Sequence, residues 1–274
     1  MKILLSESNW ATVRKCADDD GVAVLPLGSL EQHGPHLPLS TDSFQIAEIM
    51  KRALAMIPSS AAVCCLPVLE YTVVQWASPL ASVGISPEAH TRALTEIVAS
   101  LREIGFCKFL FVHGHSGLST GRTAMWQAMQ EKMPALYVDM DPYEAAQAEL
   151  ARTCTEIRGG FDGHAGAAET AMMLAIRPDL VKLDHIKSGA AGLFGKNFPF
   201  KTLQGPGLYT IPVLESLPDG YEGDPRKATN ELGQKILDII AKVVARTIDD
   251  LAAHPTPKEF RRVWKRSNLT KAIS

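Results

Sequence analysis

Residues Gly21–Asp42 read GVAVLPLGSLEQHGPHLPLSTD. The part up to Leu27 is an unbroken apolar run, the spelling of a strand covered on both faces. Beyond Gly28 that strand cannot continue, because Gly34, Pro35 and Pro38 break regular structure. The broken part nevertheless carries Glu31, His33, His36 and Asp42. Then Asp42–Met56 (DSFQIAEIMKRALAM) takes up a helical period, with Phe44, Ile46, Ala47, Met50 and Leu54 apolar and Asp42 or Ser43 near the start. A strand feeding a helix through a polar turn is the unit of a parallel sheet, and ligands bind beyond the carboxyl ends of such strands. Glu31 and His33, two apart, share a face if the backbone is extended. The Gly34–Pro38 bend returns Asp42 toward them.

The rest of the chain repeats the alternation. Strands are expected at Ala61–Val68 (AAVCCLPV), Cys107–Val112 (CKFLFV) and Ala135–Asp139 (ALYVD). Helices are expected from Ser86 to about Glu103, over Thr120–Met133, over Ala165–Ile176 and over Lys227–Asp250. Ser86 suits the N-cap and Pro87 the first helical position, and Gly105 stops that helix. Pro199–Asp224 is rich in Gly and Pro and reads as irregular. The pattern gives an α/β fold with a mainly parallel central sheet. With no break in composition, residues 1–274 are expected to form a single domain with a basic tail at about 255–274. In that tail Lys258–Arg266 (KEFRRVWKR) reads as a solvated helix face.

Composition narrows the function classes. A net charge of −2 and a pI near 6.5 give no electrostatic footprint for nucleic acid, so a small-molecule substrate is the expected partner. The five cysteines are odd in number and make no CxxC pair, which points to a reducing compartment, the cytoplasm. The start MKILLSESNW is too short in apolar residues for a signal-peptide core, and no stretch approaches membrane-spanning length. There is no GxGxxG after the first strand and no GxxxxGK[ST], which leaves no fingerprint of a nucleotide site.

Two further strand-to-helix junctions carry imidazoles. After the Cys107–Val112 strand come His113, Gly114 and His115, again with same-face spacing. Asp162–Thr170 (DGHAGAAET) places His164 and Glu169 at the entry to a helix. Taken singly, each His reads as a hydrogen-bonded structural residue, and each carboxylate as a helix cap or a surface charge. Together Glu31, His33, Asp42, His115 and Glu169 make a nitrogen and oxygen donor set suited to Zn, Mn or Fe(II). The set exceeds what one tetrahedral ion needs, and a carboxylate can bridge, so two divalent metal ions are expected.

These residues carry a resemblance. LPLGSLEQHGPHLPLSTD (25–42), HGHSG (113–117), HAGAAET (164–170) and GYEGDPRKAT (220–229) resemble, in order and rough spacing, the signature segments of the creatininase (creatinine amidohydrolase) family. The resemblance runs from about Val22 to Leu237. It implies a three-layer αβα fold, a pair of divalent cations and a homohexamer. Carried over by position, Glu31, His33, Asp42, His115 and Glu169 would be the metal ligands, Asp42 would bridge, and His164 would be the active-site histidine. The implied reaction is hydrolysis of a C–N bond in a small cyclic amide or formamide by metal-activated water. His164 would supply a proton to the departing nitrogen, and His113 would hold a substrate oxygen or orient a ligand.

The chain departs from the family pattern in places. His113 and Leu118 stand where the family has Asn, and Ala167 where many relatives have Glu. Gly117 stands where true creatininases carry a metal-binding Glu, and no Phe-Pro-Gly-Thr segment precedes Ser86. These changes point away from creatinine as substrate and toward the broader branch, in which Glu169 completes the site. Two other readings follow: the same metals acting on a cyclic ketone or lactone, or a non-enzymatic metal-stabilised assembly that binds a small molecule. Tyr71, Trp76 and Trp126 are candidates to line the pocket, with core packing the commoner role of Trp, and His36 reads as a brace for its turn.

Overall fold

The apolar run that opens the sequence becomes β2 (Val22–Leu27), buried along its whole length between β3 (Val63–Cys65) and β4 (Lys108–His113). The structure is a computed structural model that describes residues 1–74, 81–115, 129–157, 162–186 and 219–261. With β1 (Lys2–Leu4) and β5 (Leu136–Met140), the strands form a five-stranded sheet in the order β1-β3-β2-β4-β5. Every pairing in it is parallel. Alternate residues of each strand feed opposite cores. Val22, Val24, Val63, Cys65, Leu110 and Val112 face one side. Ala23, Leu25, Leu27, Cys64, Phe109 and Phe111 face the other, as the two-residue period of a strand requires.

Helices cover both faces, which gives three layers. On the first side lie α2 (Thr41–Met56), α4 (Pro142–Thr153), α5 (Ala167–Ile176) and α6 (Asn230–Ala253). On the second lie α1 (Trp10–Asp18) and α3 (Pro87–Ile104). Their starts are set by side chains that take up otherwise unpaired N–H groups. Ser86 accepts from Ala89, Asp141 from Tyr143 and Glu144, and Thr229 from Leu232. Gly105 ends α3 at a φ of 124°, a conformation L side chains rarely adopt. Gly233 lets α6 lie directly on α5, since a Cβ there would stand 1.9 Å from the Ala171 carbonyl oxygen.

Two departures from the sequence reading have plain causes. The strand expected over Ala61–Val68 is regular only over Val63–Cys65, because Pro67 has no N–H to donate. Beyond it single bonds persist, from Leu66 N to Val24 O and from Leu69 N to Pro26 O. Three elements, β1, α1 and α4, were not anticipated. Of the helix expected over Thr120–Met133, residues 129–132 are helical and the remainder lies outside the described residues. Trp76, Trp126, Gly117, Leu118, most of Pro199–Asp224 and the tail beyond Arg261 also lie outside them.

The five cysteines are free and buried. Among the described residues no helix is long and apolar enough to cross a membrane. A buried cation anchors the end of α6. Lys108 Nζ lies 3.1 Å from Asp20 Oδ2 and donates to Ala252 O at 3.1 Å. Asp20 also accepts from Thr256 Oγ1 at 2.6 Å.

Candidate metal centre

Two chain reversals define where a site can form. Leu27 and His113 are paired in register, so β2 and β4 end level with one another. From there β2 leads into α2 on one face of the sheet, while the helical residues 129–132 that follow β4 contribute Met129 to the other. The gap between the two strand ends is therefore a topological switch point, where open α/β sheets bind ligands. The loop after β2 carries Glu31 and His33, and Asp42 enters from the first turn of α2. His115 follows β4, and Glu169 comes from the first turn of α5.

The structure brings these five residues together in two groups. Glu31, Asp42 and His115 have ligand atoms within 4.8 Å of one another, and so do His33, Asp42 and Glu169. Asp42 belongs to both. Its Oδ1 lies 3.1 Å from His33 Nε2, and its Oδ2 lies 3.3 Å from His115 Nδ1. Glu169 Oε2 stands 3.5 Å from His33 Nε2, and Glu31 Oε2 stands 2.8 Å from His115 Nδ1.

Backbone carbonyls fix the imidazole tautomers. His33 Nδ1 donates to Glu31 O at 2.9 Å, which leaves Nε2 for the cluster. His115 Nε2 donates to Val73 O at 3.2 Å, which leaves Nδ1. Metal-binding histidines are oriented in this way. Ser29 Oγ donates to Asp42 Oδ2 at 2.6 Å, and Ala165 N donates to Glu169 Oε2 at 2.5 Å. Asp162 caps α5 through Ala167 N and Ala168 N and so fixes the turn that presents Glu169.

Burial sets the ionisable groups of the cluster against one another. Burial pushes the Glu31 carboxyl up, only partly opposed by His115. Burial also pushes Glu169 up, to about 8. Asp42 goes the other way: burial alone would raise it, but His33 and His115 outweigh that and hold it low. Neither carboxylate oxygen of Glu31 receives an aligned hydrogen bond among the described residues, although the side chain is fully buried. A buried carboxylate left in this state is costly unless a cation completes it. The donor set, its convergence and a buried carboxylate whose near partner is the His115 ring fit divalent cations.

His164 sits beside the cluster, its ring 4.4 Å from that of His33, and makes a third candidate ligand group with Glu31 and His33. Its Nε2 lies 2.7 Å from Gln32 O and 3.0 Å from Gln32 Nε2. Its backbone N donates to Glu222 Oε2 at 2.9 Å, and Glu222 N donates to its carbonyl at 2.7 Å. Burial, reinforced by His33, pushes the ring down to about 3. His113 is placed differently. It pairs through Nε2 with Asp139 at the end of β5 and belongs to neither of the two groups that share Asp42. His36 braces its turn as expected, with Nε2 3.0 Å from Thr170 Oγ1.

Sequence reading passed over Ser29, Gln32, Asp139, Asp162 and Glu222. Ser29 and Gln32 lay inside the opening stretch, flanking Glu31. Asp139 comes near His113 through the pairing of β4 with β5, in which Phe111 lies opposite Asp139.

A doubly wound parallel sheet with carboxylates and imidazoles gathered at its switch point defines a metal-binding α/β enzyme. The chain belongs to the creatininase family: residues 6–248 match that family, described as creatinine amidohydrolase. It is a metal-dependent amidohydrolase. A mycofactocin precursor peptide peptidase from Mycobacterium ulcerans (strain Agy99) is 31% identical over 224 residues, covering 78% of each chain. A crystal structure of creatinine amidohydrolase superposes with a TM-score of 0.76 at 20% identity, covering 92% of this chain and 99% of that one. A mutant creatininase of Zn-Zn type gives 0.73 at 20% identity, covering 93% and 100%.

Proposed function

We propose that this chain hydrolyses the C–N bond of a small cyclic amide or formamide at a two-cation site. The observation that carries the reading is that Asp42 turns its two oxygens toward different ligand groups, His33 and Glu169 on one side, Glu31 and His115 on the other. Divalent ions held there, such as Zn, Mn or Fe(II), supply an acidified water and polarise a carbonyl oxygen.

The chain's own residues do the remaining work. Glu31, His33, Asp42, His115 and Glu169 hold the cations. Their burial keeps the site at low dielectric, where charge stabilisation is strong. His164 stands next to His33 with its ring held by Gln32; neutral at ordinary pH, it would take a proton from the attacking water and pass it to the departing nitrogen. His113, paired with Asp139 beneath the strand ends, orients the backbone that carries His115. The homohexamer and the small-molecule substrate implied by the family likeness belong to the same proposal; light scattering reads the first.

A second substrate reading is a peptide amide, favoured by the 31% identity to a protein named as a peptidase. One panel separates the two. Metal-stripped protein is reloaded with Zn or Mn and offered creatinine, other cyclic amides, formamides, lactones, cyclic ketones and short peptides. Turnover of cyclic amides or formamides that needs the metal supports the first reading, and release of amino acids from peptides supports the second. Turnover confined to lactones or ketones, or surviving full chelation, contradicts amide hydrolysis on metals.

A further inference from the structure

The carboxylate shared by the two ligand groups is held by more than imidazoles. Ser29 Oγ donates to Asp42 Oδ2 over 2.6 Å, and both residues are buried. Oδ2 therefore meets a hydroxyl and His115, while Oδ1 faces His33. For Asp42 to serve both groups, the plane of its carboxylate must stay fixed, since rotation would carry one oxygen out of each. The single proton of the Ser29 hydroxyl is committed to that oxygen.

Ser29 is itself immobilised from three directions. Its carbonyl accepts from Ser43 Oγ at 3.1 Å. The carbonyl of Gly28 accepts from Thr72 Oγ1 at 2.7 Å, and Gly28 N donates to Leu69 O at 2.9 Å. Gly28 also packs against Ser43 so tightly that a Cβ there would stand 2.3 Å from its hydroxyl. The hydroxyl's place is thus set by the end of β2, the start of α2 and the segment after β3. Asp42 lies on that same first turn of α2.

We propose that Ser29 is a positioning residue whose hydroxyl fixes the Asp42 carboxylate plane so that each oxygen serves a different cation. The inference rests on the reading of Asp42 as a bridging ligand. Ser29 acts through Asp42.

The test needs no substrate. Metal-stripped wild type, Ser29→Ala and Ser29→Cys are titrated with cobalt(II), with visible absorption to report geometry and chelator competition to report affinity. Wild type is expected to take up two cobalt ions. Ser29→Ala is expected to bind the second about 10- to 100-fold more weakly, the usual effect of losing such a partner, with an altered cobalt spectrum. Ser29→Cys, a weaker donor, falls between them. The thermal midpoint of metal-free Ser29→Ala is expected to stay within a few degrees of wild type. If that variant does not fold, Ser29→Cys carries the same readouts. In an Asp42→Ala background, Ser29→Ala is expected to have no further effect on cobalt affinity.

The inference is overturned if Ser29→Ala titrates like wild type with an unchanged spectrum. Equal weakening with and without Asp42 overturns it as well. Failure of wild type to bind cobalt overturns the two-cation reading, and this inference with it. Two ions in wild type with an indifferent Ser29→Ala overturns this inference alone.

Discussion

Asp42 presents Oδ1 to His33, 3.1 Å from the ring Nε2. Its other oxygen faces the opposite way, toward His115. A carboxylate shared in this manner makes the two positions depend on one residue. Asp42→Ala should therefore weaken the binding of both cations and purify depleted in both, whereas His115→Ala should purify depleted in about one, as read by elemental analysis. Turnover in Asp42→Ala should fall by at least about 100-fold, beyond the cost of losing a merely supporting partner.

His164 has a different signature. It lies against His33 and is held by Gln32 and Glu222. Removing a general acid costs about 10²- to 10⁴-fold in rate. His164→Ala should lose turnover in that range and keep its metal content. Coincident loss of one ion would make His164 a ligand, which its grouping with Glu31 and His33 allows to be tested directly.

Metal removal should uncover a pH dependence of stability. In the chelated protein, burial lifts Glu169 from its ordinary 4.5 to about 8. Burial opposes the His33 cation, but Asp42, Glu169 and Glu31 outweigh it and hold that ring at about 10 against an ordinary 6.5. Between 6.5 and 8 the folded chain keeps both protons while the unfolded chain has released them. Stability must then fall as pH rises, by up to about 1.4 kcal/mol per pH unit for each group. His164, pushed down by burial and His33, titrates below this window. In the loaded protein these groups have already shed their protons to bind cations, as they have in the unfolded chain above 6.5, so its stability changes little there. Between pH 6.5 and 8 the thermal midpoint should fall with chelator and stay nearly level with zinc.

Asp20 and Lys108 provide a test away from the site. The Lys108 side chain is 1% exposed, and its ammonium rests on Asp20 and Ala252 O. Burial would raise the Asp20 carboxyl, but Thr256 and Lys108 outweigh it and hold it below its usual range. Asp20→Ala leaves a buried ammonium without its counter-ion and should destabilise the fold by about 3 kcal/mol in denaturant titration. The wild-type contribution is present above the ordinary carboxylate value and lost as pH falls through the lowered one.

Much of this architecture was legible because its signals are local. The Val22–Leu27 run, the Ser86-Pro87 start and the Gly105 stop each fix an element by sterics or capping within a few residues. The cluster was legible because Glu31, His33, Asp42, His115 and Glu169 all fall at strand-to-helix junctions, which a parallel sheet gathers at one edge. What escaped was weakly patterned or remote. β1 is three residues long and gains its register only from Val63–Cys65. The interior of α4 buries only Ala146 and Leu150, which leaves a faint period. The Asp139 partner of His113 and the Glu222 partner of His164 depend on contacts across the fold, which no spacing encodes.

Anomalous diffraction from crystals grown with manganese or zinc tests the central claim most directly. The account predicts two peaks per chain. One should lie among Asp42 Oδ1, His33 Nε2 and Glu169, the other among Asp42 Oδ2, Glu31 and His115 Nδ1. A single peak, or peaks away from Asp42, would contradict it.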